Sequence, residues 1–375
     1  MEALTESTWR ARSRALRQRL RPTFIVLLLL VCGGAFGGSR IAPAVGAQRT
    51  ATFYVSPSGS DGNAGTFEEP WRTLRHAVSQ LTAGDTLYLR GGIYSSSADT
   101  VDSQTGVVPS GTSWENAITI AGYPGEQAIV QPPNGAPGLR ITWGAPHYLI
   151  FQDFTVDMSR QSDYLEAPRA FYLSDGAHHI RLQRMDLGYT RNDVVTLSYN
   201  NYGAPAASFV EILNSRIHHA GQFSGDSGHG GSGVNNGYGI YMYTTDNVVD
   251  GNEFDSNCGF AIVAYGDRNV FRYNQIHDNG TGGGVNAGIN IGSSSYPLSS
   301  SNNVVHDNRI YNNRGGIQVY TNAESTRVYN NTVYNNWPGD GILIQWANGS
   351  VITGNNLWNN GGGVVDLGTS TLIDP

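Results

Sequence analysis

The side chains able to move protons or hold charge are few in this chain, and one kind is missing. There is no lysine, and all 23 cationic side chains are arginines. Chemistry that withdraws a proton with a lysine amine is therefore closed to it. Carboxylates, histidines and tyrosines remain. Asp193, Asp226, Asp278 and Asp340 each fall where a turn-rich stretch meets a β-like run. Two carboxyl groups straddling a glycosidic bond can hydrolyse it, closely spaced for retention and farther apart for inversion. His229 shares the glycine-rich stretch His218–Gly237 with Asp226. An imidazole titrates near neutrality, so His229 is a candidate general base, and the glycines would let a ligand approach the backbone closely. His218 and His219 sit at a turn and read as structural. Arg191 and Arg314 are candidates for holding a carboxylate, or for pairing with a nearby aspartate.

Such groups need a scaffold, and the sequence writes one as a repeat. Stretches such as YGIYMYT, FAIVAYG, AGINIG, GGIQVYT and GILIQW alternate apolar residues at every second position. Side chains alternate faces along a strand. Ile240, Met242, Ile262, Ala264, Ile289, Ile291, Ile317, Val319, Ile342 and Ile344 are thus expected to point inward. Tyr241, Tyr243, Val263, Tyr265, Asn290, Gln318, Tyr320, Leu343 and Gln345 are expected to point outward, on what we call the front sheet. Aligning VxxxN in each coil places Asn214, Asn252, Asn274, Asn308, Asn331 and Asn355 at one position, with Arg184 there in an earlier coil. Their spacings include 22, 23 and 24 residues, each one coil long. Stacked asparagines can hydrogen-bond up a ladder and tolerate a left-handed corner, so this position is structural.

The expected fold is all-β: a right-handed parallel β-helix, a solenoid behind a short N-terminal capping α-helix. Leu74, Ala77, Val78 and Leu81 give that helix one apolar face, and Gly84 lies just past its end. Residues 48–139 read as the cap and first coils, and 140–375 as the repeats. Residues 1–47 read as a signal peptide: six arginines from Arg10 to Arg21, an apolar run from Phe24 to Cys32, then Val45 and Ala47 at a cleavage site. The apolar run is short for a bilayer span. N-terminal sequencing of exported protein should therefore begin near Gln48; retention of Arg10–Arg21 would refute cleavage. Removing this segment takes away seven arginines and two glutamates, and the net charge moves from −7 to −12. So acidic a protein is a poor nucleic-acid ligand and needs local arginines, or a bridging cation, to hold a polyanion. Of two cysteines only Cys258 would remain, so no intrachain disulfide is expected, and its neighbours mark it as a small buried residue.

The segment FYVSPSGSDGNAGTFEEPWRTLRHAVSQLTAGDTLYLRGGIY, followed by AITIAGYPGE, resembles the N-terminal signature of bacterial β-helix proteins related to the family-nine polysaccharide lyases. The repeat NxVxxNxIxxN resembles the generic β-helix repeat over the remaining two-thirds. The resemblance implies the fold strongly. Its relatives include lyases, glycosidases and epimerases, so it implies activity only broadly. It also implies a calcium site, an acidic Asp-Asp-Gly-x-Asp cluster on the front sheet, and a catalytic lysine. The matching stretch here is NDVVT, with Asn192, Asp193 and Thr196. One carboxylate of three remains, and the lysine is absent. An Asp-Pro-His-Glu stretch, which the epimerases share, is also absent.

Glycan chains bind across the front sheet in proteins that this resemblance covers. The long stretches His218–Gly237 and Asp278–Asn286 would wall such a groove on one edge, and SSSYPLSSS on the other. Tyr243, Tyr265 and Tyr320 share an outward column, with Gly292 between the last two. Coils about 4.8 Å apart match the scale of a sugar ring, and aromatic rings stack on sugar faces. The expectation is a secreted carbohydrate-active protein that cleaves a polysaccharide by hydrolysis or by lysine-independent β-elimination. Asp193, Asp226, His229, Tyr241 and Tyr243 are its candidate catalytic residues. Arg191, Tyr265, Asn290, Arg314, Gln318, Tyr320 and Trp337 are its candidate substrate contacts. The alternatives are a non-catalytic glycan-binding or cell-surface solenoid and, third, a polysaccharide epimerase.

Overall fold

The computed structural model describes residues 50–162, 168–198, 206–221, 237–282, 288–293 and 299–374. They wind into coils whose strands stack as three parallel sheets of twelve, ten and ten strands. The front sheet runs from Val101–Asp102 to Val364–Thr369, the second from Thr52–Val55 to Leu372–Asp374, and the third from Gly92–Tyr94 to Asn356–Trp358. Each strand pairs with those one coil before and after it, so neighbours in space are distant in sequence.

Alternation puts the core where it was expected. Ile240, Met242, Ile262, Ala264, Ile289, Ile291, Ile317, Val319, Ile342 and Ile344 are all buried. Burying each isoleucine contributes about 2 kcal/mol, repeated coil after coil. Cys258 is buried too. The helix Leu74–Ser79 buries Leu74, Ala77 and Val78, and the Thr73 side chain accepts the His76 N–H at its N-terminus. Its C-cap is Gln80, and Gly84, at φ +90°, serves the next turn instead.

Asn252, Asn274, Asn308, Asn331 and Asn355 form one ladder. Each backbone N–H donates to the next coil's side-chain oxygen, at 2.9 Å for Asn252 to Asn274 and 3.0 Å for Asn308 to Asn331. Two parallel ladders accompany it: Asn257, Asn279, Asn313, Asn336 and Asn360, and the shorter Asn247, Asn269 and Asn303.

Asn214 and Arg184 do not belong to the ladder. Leu213 pairs with Asp250, so Asn214 stands opposite Gly251 and Ser215 takes the ladder position, its N–H bound to Asn252 Oδ1 at 2.9 Å. Arg184 lies beside Asn214 one coil earlier. Both occupy the left-handed corner that precedes the ladder, at φ 52° and 48°. The VxxxN alignment slipped because it matched the inward Val210 to Val248, whose partner in register is Glu211.

Candidate functional site

On the front sheet one column of side chains is half-buried at Arg140, Tyr172, Tyr241, Gln318 and Leu343 and buried at Asp102, Thr196, Val263 and Asn290. In register it reads Asp102, Arg140, Tyr172, Thr196, Tyr241, Val263, Asn290, Gln318 and Leu343. Two residues further along each strand lies a second column, Tyr243, Tyr265, Gly292 and Tyr320, tied by backbone bonds of 2.7–2.9 Å.

The two columns meet in a cluster of half-buried tyrosines. Tyr241 and Tyr243 have ring centroids 4.6 Å apart, and Tyr265 lies 5.7 Å from the first and 5.4 Å from the second, edge to face. Tyr238, whose backbone leads into the same strand, lies 5.1 Å from Tyr241. Edge-to-face rings hold one another in place, so the cluster is a firm wall.

Beside it lies Asp193, only 3% exposed. It stands two residues before the strand Val195–Leu197. Its carboxylate accepts the Tyr238 N–H at 3.1 Å and the Thr196 hydroxyl at 3.3 Å, and Arg169 Nη2 stands 3.8 Å away. Burial pushes its pKa up to about 6, against the opposing pull of Arg169 and those hydrogen bonds. The Arg169 Nε donates to Thr196 Oγ1 at 3.2 Å, and its guanidinium carbon lies 5.8 Å from the Tyr172 ring centroid. About a third of the Arg169 side chain is exposed, so it presents a charge that Asp193 holds from beneath.

The structure thus brings together Asp193, Tyr241, Tyr243 and Tyr265. Asp226 and His229 lie outside the described residues. Arg191 directs its Nε to the Gln161 carbonyl of the preceding coil. Asn290 is buried and donates to the Gly292 carbonyl at 2.9 Å. Gln318 lies 3.5 Å from Gln345 Oε1, and Tyr320 packs on Trp346 at 5.5 Å. They extend the same face toward later coils. The Arg314 stem covers Gly280, and Trp337, 71% exposed, stands at the turn entering the front sheet. Asp278 sits on an exposed corner against His277. The reading of single residues missed Arg169, Tyr172 and Tyr238. A signal for Arg169 existed: it stands 24 residues before Asp193, one coil away, and likewise two residues before the strand-opening residue.

Calcium does not fit this arrangement. The ion takes six to eight oxygens, including several carboxylates. Among the described residues no three His, Cys, Asp or Glu side chains converge on such a point. Of the expected cluster, Asn192 Oδ1 accepts the Asp193 N–H at 2.9 Å, and the Asp193 and Thr196 oxygens are engaged as described.

Comparison with known proteins agrees with this architecture. Residues 53–355 match the model of the family described as Pel9A-like, right handed beta helix region. A stretch of 80 residues is 43% identical to pectate lyase PEL9 of Emericella nidulans, covering 21% of this chain and 18% of that protein. The chain thus spans less than a fifth of this curated relative's length. Among solved structures, pectate lyase Pel9A superposes with a TM-score of 0.53 at 16% identity, over 84% of this chain and 80% of that one. A GH136 lacto-N-biosidase from Eubacterium ramulus gives 0.60 at 12% identity, over 86% and 68%. At such identities the two superpositions speak for the fold alone.

Proposed function

Because the chain belongs to the Pel9A-like right-handed β-helix family, we propose that it is a secreted protein that binds an acidic polysaccharide along the front sheet and cleaves it by elimination without lysine. The observation that carries this reading is that Arg169 bonds Thr196, that Tyr241 stands in register with Thr196 on the next coil, and that Tyr243 and Tyr265 pack on Tyr241, all half-buried along one side of the front sheet apart from the buried Thr196. Elimination from a uronate needs two things: a cation to neutralise the carboxylate as the neighbouring C–H acidifies, and a base to take that proton. Arg169 supplies the first. A front-sheet tyrosine acting as its phenolate, or neutral His229, supplies the second. The C–H proton goes to the base, the C–C double bond forms, and the glycosidic C–O bond breaks, its oxygen taking a proton from solvent water. In this reading Asp193, buried beside Arg169 and Thr196, positions Arg169.

A second reading rests on the raised pKa of Asp193. A carboxyl group that titrates near 6 suits a general acid for hydrolysis. Asp226 would then be its partner.

A panel of polygalacturonate, alginate and neutral xylan separates the two. Elimination yields unsaturated uronates as well as reducing ends, and hydrolysis yields reducing ends alone. For elimination, either Tyr241→Phe or Tyr243→Phe should lower kcat/KM about 100- to 10,000-fold, and the other should change it little. Unchanged turnover in both variants and in His229→Ala, with the fold intact, would move the chemistry elsewhere. Binding without any product would make the protein a glycan-binding solenoid.

A further inference from the structure

The resemblance to family-nine lyases leads one to expect a calcium ion around Asn192, Asp193 and Thr196, and these residues do not fit one. We infer that Arg169 is the resident cation of this site: its guanidinium does permanently what a bound calcium would do, and the front sheet works without metal. The charge count supports this. Asp193 is one buried carboxylate, and Arg169 one cation at 3.8 Å from it, so the pair balances where a divalent ion would leave excess positive charge. The bonds agree with the count. Thr196 is the hinge of the arrangement, accepting from Arg169 Nε and donating to Asp193 Oδ2. Asp193 Oδ1 accepts the Tyr238 N–H, and Asn192 Oδ1 is turned onto its neighbour's backbone. No oxygen of the three is left aimed at a shared point.

The guanidinium also suits the task. It is charged at every working pH, it cannot be chelated, and its planar fork can take a carboxylate through two parallel hydrogen bonds. Arg169 rests on the Tyr172 ring on one side and is tied to Thr196 on the other, while part of it stays exposed. Its carboxylate-binding role rests on the function proposed above. Its role as resident cation does not.

The test therefore has two arms. In the first, thermal unfolding of the mature chain is followed in EDTA and in millimolar calcium. A wild-type Tm that changes by less than about 1 °C is expected, since a ligand that binds only the folded state at many times its Kd would raise it by several degrees. Arg169→Asp places a second carboxylate beside Asp193 and should gain a saturable calcium-dependent rise. A saturable rise in the wild type, abolished by Asp193→Asn, would overturn the inference. The second arm measures polygalacturonate binding. EDTA should leave wild-type binding unchanged, and Arg169→Ala and Arg169→Gln should each weaken it at least about tenfold, the scale of one lost charge-assisted pair. Wild-type binding that EDTA abolishes would also overturn it. Should polygalacturonate fail to bind at all while the wild-type melts ignore calcium, the proposed substrate falls and the cation assignment stands.

Discussion

Replacing Asn308 with leucine is expected to destabilise the protein by about 3–5 kcal/mol, with little change in the surface exposed on unfolding. Asn308 is 2% exposed, and every polar atom of its side chain is engaged. Its Oδ1 accepts the Asn274 N–H at 3.0 Å and the Asn274 Nδ2 at 2.9 Å. Its Nδ2 donates to the Phe271 carbonyl and to Asn331 Oδ1, each at 2.9 Å. Leucine matches the volume and removes all four bonds. The Asn274 N–H then loses its acceptor and the Phe271 carbonyl a donor, both at a dry corner. An unsatisfied buried group costs about 1–3 kcal/mol. The contrast is Asn330, an exposed residue at φ 55° on the adjacent corner. Asn330→Gly keeps that left-handed conformation and should shift stability by less than about 1 kcal/mol. Urea unfolding followed by circular dichroism measures both. A loss below about 1 kcal/mol for Asn308→Leu would mean that the ladder is incidental to stability.

The second large effect is a pH dependence. Asp193 titrates at about 6 in the folded chain, above its ordinary value of 3.8, because burial disfavours the carboxylate more than Arg169, Tyr238 and Thr196 favour it. The sign follows from which state holds the proton. Below the ordinary value, both states are protonated and the group costs nothing. As pH rises, the unfolded chain releases the proton first, so stability falls and then levels off above the folded pKa. A shift of about two units corresponds to roughly 3 kcal/mol. Asp193→Asn keeps the shape and an acceptor for Tyr238 but cannot titrate. Wild-type stability minus that of the variant should therefore decline by roughly 3 kcal/mol between acid conditions and neutrality. Other carboxylates, such as Asp102, which Arg140 and its hydrogen bonds hold low despite burial, contribute equally to both proteins and cancel. A difference that stays flat across that range would show that Asp193 ionises at no cost to the fold.

Both expectations concern groups visible in the sequence, but visible to different degrees. Asn308 was legible as a ladder residue because its coil and the next are 23 residues apart, with no insertion between Asn308 and Asn331. Asn214 was misread because the interval to Asn252 is long and two valines of opposite facing looked equivalent. The ladders at the other two corners went unremarked although NxVxxN spells them out. At the site, Asp193 stood out as the surviving carboxylate of a known pattern. Its burial did not, since that depends on the neighbouring coils that bring Tyr238 and Arg169 to it.

Sequence alone determined the alternation of inward and outward side chains, the coil period, and the exclusion of lysine chemistry. These follow from local rules: a two-residue strand repeat, a recurring asparagine, and the absence of one residue type. Only the tertiary structure decided that Arg169 meets Asp193 through Thr196, that Arg191 turns to the Gln161 carbonyl, and that Asn290 donates to the Gly292 carbonyl. Contacts between coils depend on the summed length of every turn between them, and one residue more or less exchanges the partner. A carboxylate's proton affinity depends further on how fully those partners exclude water, which is a property of the assembled coils.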